Sequence, residues 1–270
     1  MMGRFDHHDL LFLIETLMPG HSDPERAAEL VRGDETLIEA MLDDDRLFQR
    51  LLSDDEILLR ASPSLFFTVL LRRARRDLAQ ETFTVERRSR QKVVLFDTDR
   101  VIELLEQDLL LDYMAGMLAS FTRVRSVTVP IRVRQGVWYK YRVNDLDVDS
   151  LMRTCGALGE ESRFDCYRRI ADVCLFMAGM FPEYIEGRHR YPLSRRIRPG
   201  ARGRICGSLE EYEVHGRAFY RLAAEHERAG SEGLTDVLAL LSQHFVLAEK
   251  PLTFLARRYL QFVRHGLFDV

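Results

Sequence analysis

The sequence predicts a mainly α-helical protein: a helical bundle with one or two β-hairpins in its middle third. Three observations carry this expectation. Apolar residues recur at helical spacing through residues 1–80 and again from Phe164 onward. Ser, Asp and Pro stand where helix starts need them. Between Phe83 and Asn144 the pattern changes twice to β-branched and aromatic residues alternating with polar ones. These shifts suggest an N-terminal helical region (1–80), a hairpin–helix–hairpin region (81–150) and a C-terminal helical region (151–270).

The first apolar stripe, Leu10, Leu11, Leu13, Ile14 and Leu17, stops at Pro19-Gly20. Ser22-Asp23-Pro24-Glu25 then supplies a cap with proline at the first helical position, for a helix through Val31 that ends near Gly33. Asp34 can cap the next helix, which carries Leu37, Ile38, Met41 and Leu42. Asp43-Asp44-Asp45 lacks the glycine and ligand spacing of a calcium loop and reads as a cap with first-turn acids. Leu47–Leu59 is helical apart from an interruption at Ser53–Glu56. After Pro63, Ser64 is expected to cap a helix whose far end is basic, with Arg72, Arg73, Arg75 and Arg76 complementing the helix dipole or forming a phosphate-tracking face.

Phe83–Glu86 and Lys92–Phe96 flank a polar turn and predict a first hairpin, with Arg88 and Arg90 near its tip. Asp99–Thr122 follows, and two readings compete. Either Gln107–Asp112 is a tight turn before a separate helix, or the stretch is one long buried helix, which the absence of Gly and Pro between Glu103 and Asp112 favours. Val127, Val129, Ile131 and Val133 then alternate with Thr128, Pro130, Arg132 and Arg134. After Gln135-Gly136 the return strand runs Val137, Tyr139, Tyr141 and Val143. This alternation gathers Arg132, Arg134, Lys140 and Arg142 on one outward face beside Trp138. Pro130 cannot donate to a ladder and marks an edge strand.

The stretch RVRQGVWYKYRVNDLDVDSLM resembles the wing and following helix of ArsR-type winged-helix repressors. The resemblance covers about 25 of the 270 residues. It implies a winged-helix-like middle third whose wing lies along a DNA backbone. The helix before this wing shows Asp112, Ala115, Gly116, Ala119 and Ser120 outward, with no base-reading Arg, Asn or Gln, and the family's metal-binding cysteine motif is absent.

In Asn144–Asp149 the apolar Leu146 and Val148 argue for a helix cap at Asp147 or Asp149 rather than a calcium loop. Tyr167, Ile170, Cys174, Met177 and Phe181 form a helix face that ends at Pro182, with Asp172 in apolar surroundings. Arg188–Arg204 has the composition of a long basic loop. Ser208 and Glu211 make a capping box, a helix follows from Leu234 to Leu247, and Pro251 introduces a last one.

Composition bounds the function. Apolar residues at 46% and charged residues at 30% are ordinary for a globular protein. A net charge of −3 excludes a polyanion binder by bulk charge, so any nucleic-acid site must be a local basic patch. Of the 39 basic residues only Lys92, Lys140 and Lys250 are lysine. No secretory signal is read, and Leu10–Met18 is too short to span a bilayer, so reduced cysteines and a cytoplasmic location are expected. No catalytic residue, metal site or cofactor is assigned, because no nucleophile–base pair, phosphate loop or zinc spacing is present.

The expected function is therefore a non-enzymatic regulatory protein that contacts DNA or another nucleic acid through Arg88, Arg90, Arg132, Arg134, Lys140 and Arg142. Its helical regions would serve homodimerisation or ligand sensing, and no membrane partner is expected. The alternatives are a helical scaffold for protein interactions and an enzyme with a site near Asp172, Glu211 and His215.

Overall fold

The computed structural model describes residues 5–54, 56–81, 84–88, 91–95, 97–122, 126–134, 137–144, 146–190, 207–261 and 267–268. Of residues 84–88, 91–95, 126–134, 137–144 and 187–190 it describes the backbone alone. The chain divides into two compact units, Met1–Thr122 with Arg257–Leu267, and Arg123–Ala256 with Phe268–Val270.

In the first unit α1 (His7–Leu17) is capped by Asp6, whose carboxylate accepts from Asp9 N at 2.8 Å. Gly20, at φ 88°, takes the left-handed turn beyond it. α2 (Pro24–Val31) starts on Asp23 with proline in its first turn, and α3 (Glu35–Leu42) on Asp34. α4 (Asp45–Ser53) starts on Asp44, and α5 (Ile57–Arg60) is a single turn. α6 (Pro63–Leu78) is capped by Ser62, which accepts from Leu65 N at 3.1 Å. The cap is therefore Ser62 and not Ser64, because proline fits the first helical position and leaves the residue before it extended. α6 buries every residue from Leu65 to Arg72, then Ala74 and Leu78, so its N-terminal half is enclosed all round and forms the core of this unit.

β1 (Thr84–Arg88) and β2 (Gln91–Leu95) pair antiparallel with each other. α7 (Thr98–Leu105) and α8 (Asp108–Phe121) follow as two helices, so the single long helix is corrected. The break is at Gln107, with ψ 101°. Its reason is the phase of the apolar residues rather than Gly or Pro. At 100° per residue, buried Val101, Leu104 and Leu105 share one face, while buried Leu110, Met114, Leu118 and Phe121 centre roughly a third of a turn away. One straight helix would need a core on two sides to bury both sets.

In the second unit β3 (Ser126–Arg134) and β4 (Val137–Asn144) form another antiparallel ribbon. α9 (Val148–Gly156) has Asp147 at its cap position, where the carboxylate accepts from the Ser150 hydroxyl at 2.7 Å. α10 (Glu160–Met180) is the core helix here, with every residue from Ile170 to Met180 buried. α11 (Pro182–Arg190) follows. α12 (Leu209–Ala224) packs closely on α10 and is started by the Ser208–Glu211 capping box. α13 (Glu227–Ser231), α14 (Thr235–Gln243) and α15 (Phe245–Arg258) follow. Pro251 lies inside α15 and does not introduce it. The break falls earlier, at His244, whose amide ends α14 by donating to Leu240 O at 2.8 Å.

The expected fold class is thus corrected. The cores are all-helical, and the middle third is not winged-helix-like. Among the described residues β3 pairs only with β4 and β1 only with β2, so no winged-helix sheet forms. The would-be recognition helix is part of a core: Ala115, expected outward, is buried with Leu111, Met114 and Leu118. Among the described residues no helix is long and apolar enough to cross a membrane.

Candidate functional site

The β3–β4 ribbon carries four of the six candidate cations. Its register sets Arg142 opposite Thr128, Lys140 opposite Pro130 and Arg132 opposite Trp138. Directly paired residues of an antiparallel ladder share a face, and alternate residues of one strand do so too. Arg132, Lys140 and Arg142 therefore belong to one side of the ribbon. Arg134 does not: the register shifts between Arg132 and Arg134, and Arg134 pairs with Val137. A bulge at this point puts it out of alternation with Arg132. The register thus places three of the four expected cations on one side of the ribbon. On the first hairpin Arg88 ends β1 opposite Gln91, and Arg90 lies outside the described residues. Residues 191–204 of the basic loop also lie outside them.

The basic end of α6 is not a phosphate-tracking face. Arg72 is buried and donates to both Asp43 oxygens, at 2.9 and 2.5 Å, and to Glu39. Arg73 pairs with Asp45 and, at 2.8 Å, with Asp77, and Arg76 meets Asp45 at 3.0 Å. Burial by itself would raise the Asp43 carboxyl, but the hydrogen bonds and charge of Arg72 outweigh it, and the carboxyl lies below its ordinary value. Asp43 and Asp45 are thus counter-charges of α6, while Asp44 pairs with Arg46. Sequence inspection missed this because the partners stand about thirty residues away.

The Asp172, Glu211 and His215 grouping resolves into separate structural roles. Asp172 is 7% exposed and accepts the Tyr220 hydroxyl at 2.9 Å. Glu211 is exposed and turned to the helix start, where its Oε2 accepts from Gly207 N at 2.6 Å and Ser208 N at 2.9 Å. Glu211 and Tyr220 stand nine positions apart on α12, about 13.5 Å along the axis. His215 lies between them, half-buried.

Asp6, His8 and Asp9 bring one ligand atom each within 4.8 Å of one another. Their carboxylates are already engaged. Asp6 caps α1, and Asp9 accepts Ser62 N and Ser62 Oγ, both at 2.8 Å. Burial raises the Asp9 carboxyl in spite of these donors. Three such groups fall well short of a calcium shell. Beside them α1, α4 and α5 enclose an open groove of about 900 Å³, lined by Leu11, Glu15, Arg46, Gln49 and Leu59 among others. Leu59 is 76% exposed, while Arg46 is held by Asp44 at 2.8 Å.

No family profile, curated protein or solved structure matches the chain.

Proposed function

We propose that this protein is a non-enzymatic binding protein that contacts nucleic-acid phosphates through one side of the β3–β4 ribbon. The observation that carries the reading is the register, which puts Arg132, Lys140 and Arg142 on one side of a two-stranded element. A DNA major groove admits a ribbon of this width, and phosphate contacts need cations without base-specific geometry. The basic end of α6 offers no rival phosphate site, since there each of Arg72, Arg73 and Arg76 is held by a carboxylate. The groups considered for catalysis also support it: Asp172 and Glu211 serve buried and capping hydrogen bonds.

The test is a gel-shift titration against random duplex and single-stranded DNA at two salt concentrations. Retention that weakens steeply with salt is expected. No retention at low salt, or retention indifferent to salt, overturns the reading.

One observation favours a second reading, a protein-interaction module. The groove among α1, α4 and α5 is open, and Leu59 stands largely in solvent at its edge. Leu59→Glu would abolish capture of a partner through this groove and leave nucleic-acid retention unchanged.

A further inference from the structure

Two cysteines that follow no sequence motif meet across consecutive helices. α9 and α10 are joined by Ala157, Leu158 and Gly159. Within α9 the carbonyl of Leu151 stands one helical turn before Cys155, at the position that accepts the Cys155 amide. The Cys166 sulfur of α10 lies 3.7 Å from that same oxygen. The sulfur of Cys166 is therefore delivered to the turn that bears Cys155, where helical side chains lean back toward the N-terminus, and each thiol is the group that most perturbs the other. Cys155 is 4% exposed and Cys166 is half-buried. By contrast Cys174 is fully enclosed among core residues.

The environment distinguishes the pair. The Cys166 thiol and the charge of Arg163 hold the Cys155 thiol below its ordinary value, against burial. Hydrogen bonding to Cys155 and burial push the Cys166 thiol up. Thiolate character marks a sulfur for oxidation, and a neighbouring thiol resolves the product. Near-total burial of Cys155 limits the oxidant to one about the size of water.

We infer that Cys155 and Cys166 are a peroxide-sensitive dithiol that closes reversibly into a disulfide pinning α9 to α10. In the first step the Cys155 thiolate sulfur attacks one oxygen of hydrogen peroxide. The S–O bond forms, the O–O bond breaks, hydroxide leaves, and Cys155 becomes a sulfenic acid. In the second step the Cys166 thiol gives its proton to that hydroxide, forming water. Its sulfur attacks the Cys155 sulfur, the S–S bond forms, and the S–O bond breaks. The departing hydroxide takes the proton released when Cys155 first ionised and leaves as a second water. Two thiols lose two electrons, and one peroxide is reduced to two waters. A dithiol reductant reverses the bond by exchange.

The experiment uses the full chain, reduced and then exposed to one to ten equivalents of hydrogen peroxide. Remaining thiols are alkylated in denaturant, and the chain is mapped by mass spectrometry without reduction. The expected result is a cross-linked peptide pair containing Cys155 and Cys166, a loss of two hydrogens in intact mass, and full recovery of both thiols with dithiothreitol. Cys166→Ser should instead accumulate a dimedone adduct at Cys155. The inference is overturned if Cys155 and Cys166 both remain alkylatable after peroxide. It is equally overturned if the cross-links join Cys174 or Cys206 instead, or if Cys155 runs on to sulfinic acid in the wild type. The mapping needs no substitution, so the wild-type chain decides the matter even where a variant fails to fold.

Discussion

Tyr220 of α12 is fully buried and donates its phenolic hydrogen to the Asp172 carboxylate of α10 at 2.9 Å. The bond gives a partner to a charge that sequence alone leaves stranded among apolar residues. Tyr220→Phe keeps the ring and removes the donor. It should cost about 1.5–3 kcal/mol, the usual range for losing a hydrogen bond to a charged group. Urea unfolding followed by circular dichroism measures it, and an unchanged midpoint would show that the bond adds no stability.

Gly216 marks where α12 comes closest to its neighbours. A Cβ there would overlap the Phe245 ring and lie 3.1 Å from the Cys174 Cβ. Gly216→Ala should lower stability by about 1–3 kcal/mol through overpacking, although alanine is about 1 kcal/mol better in a helix interior. Adding Phe245→Leu should make the two changes less than additive in a double-mutant cycle.

Arg72 joins α6 to α3 through Glu39 and to the start of α4 through Asp43. Arg72→Met leaves two carboxylates facing a buried apolar chain. The expected loss is roughly 2–3 kcal/mol. It falls below the cost of breaking a fully buried pair because both acids keep about a third of their side chains in water.

The same ion pair shapes the acid limb of stability. The folded Asp43 carboxyl lies below its unfolded value of 3.8. Its contribution is therefore fully present above that value and is lost as pH falls through the folded one. Asp43→Asn should flatten the decline of the urea midpoint below about pH 4. A limb as steep as the wild type's would mean that other carboxyls govern it.

Several helix starts were legible because their signals are local. Asp23 with Pro24, Asp34, and Ser208 with Glu211 all act within four residues. Helix breaks were less so. Gln107 interrupts a run with no Gly or Pro, and Pro251 sits inside a helix that begins at Phe245. Both depend on which face a core accepts. Spatial partners were not legible at all. Nothing local couples Arg72 to Asp43, Tyr220 to Asp172, or Cys166 to the turn of Cys155. The ribbon's alternation was readable, but the register shift that sets Arg134 apart arises only when the two strands pair.

Whether β3–β4 meets phosphate is tested most directly by the salt slope of binding to random duplex DNA. The comparison is wild type against Lys140→Glu with Arg142→Glu, read by fluorescence anisotropy. The account predicts weaker binding by the variant and a log–log slope shallower by about 2, one for each phosphate no longer neutralised, with Arg134→Glu weakening binding less than either single change. Equal affinity and equal slope for wild type and the double variant would contradict it.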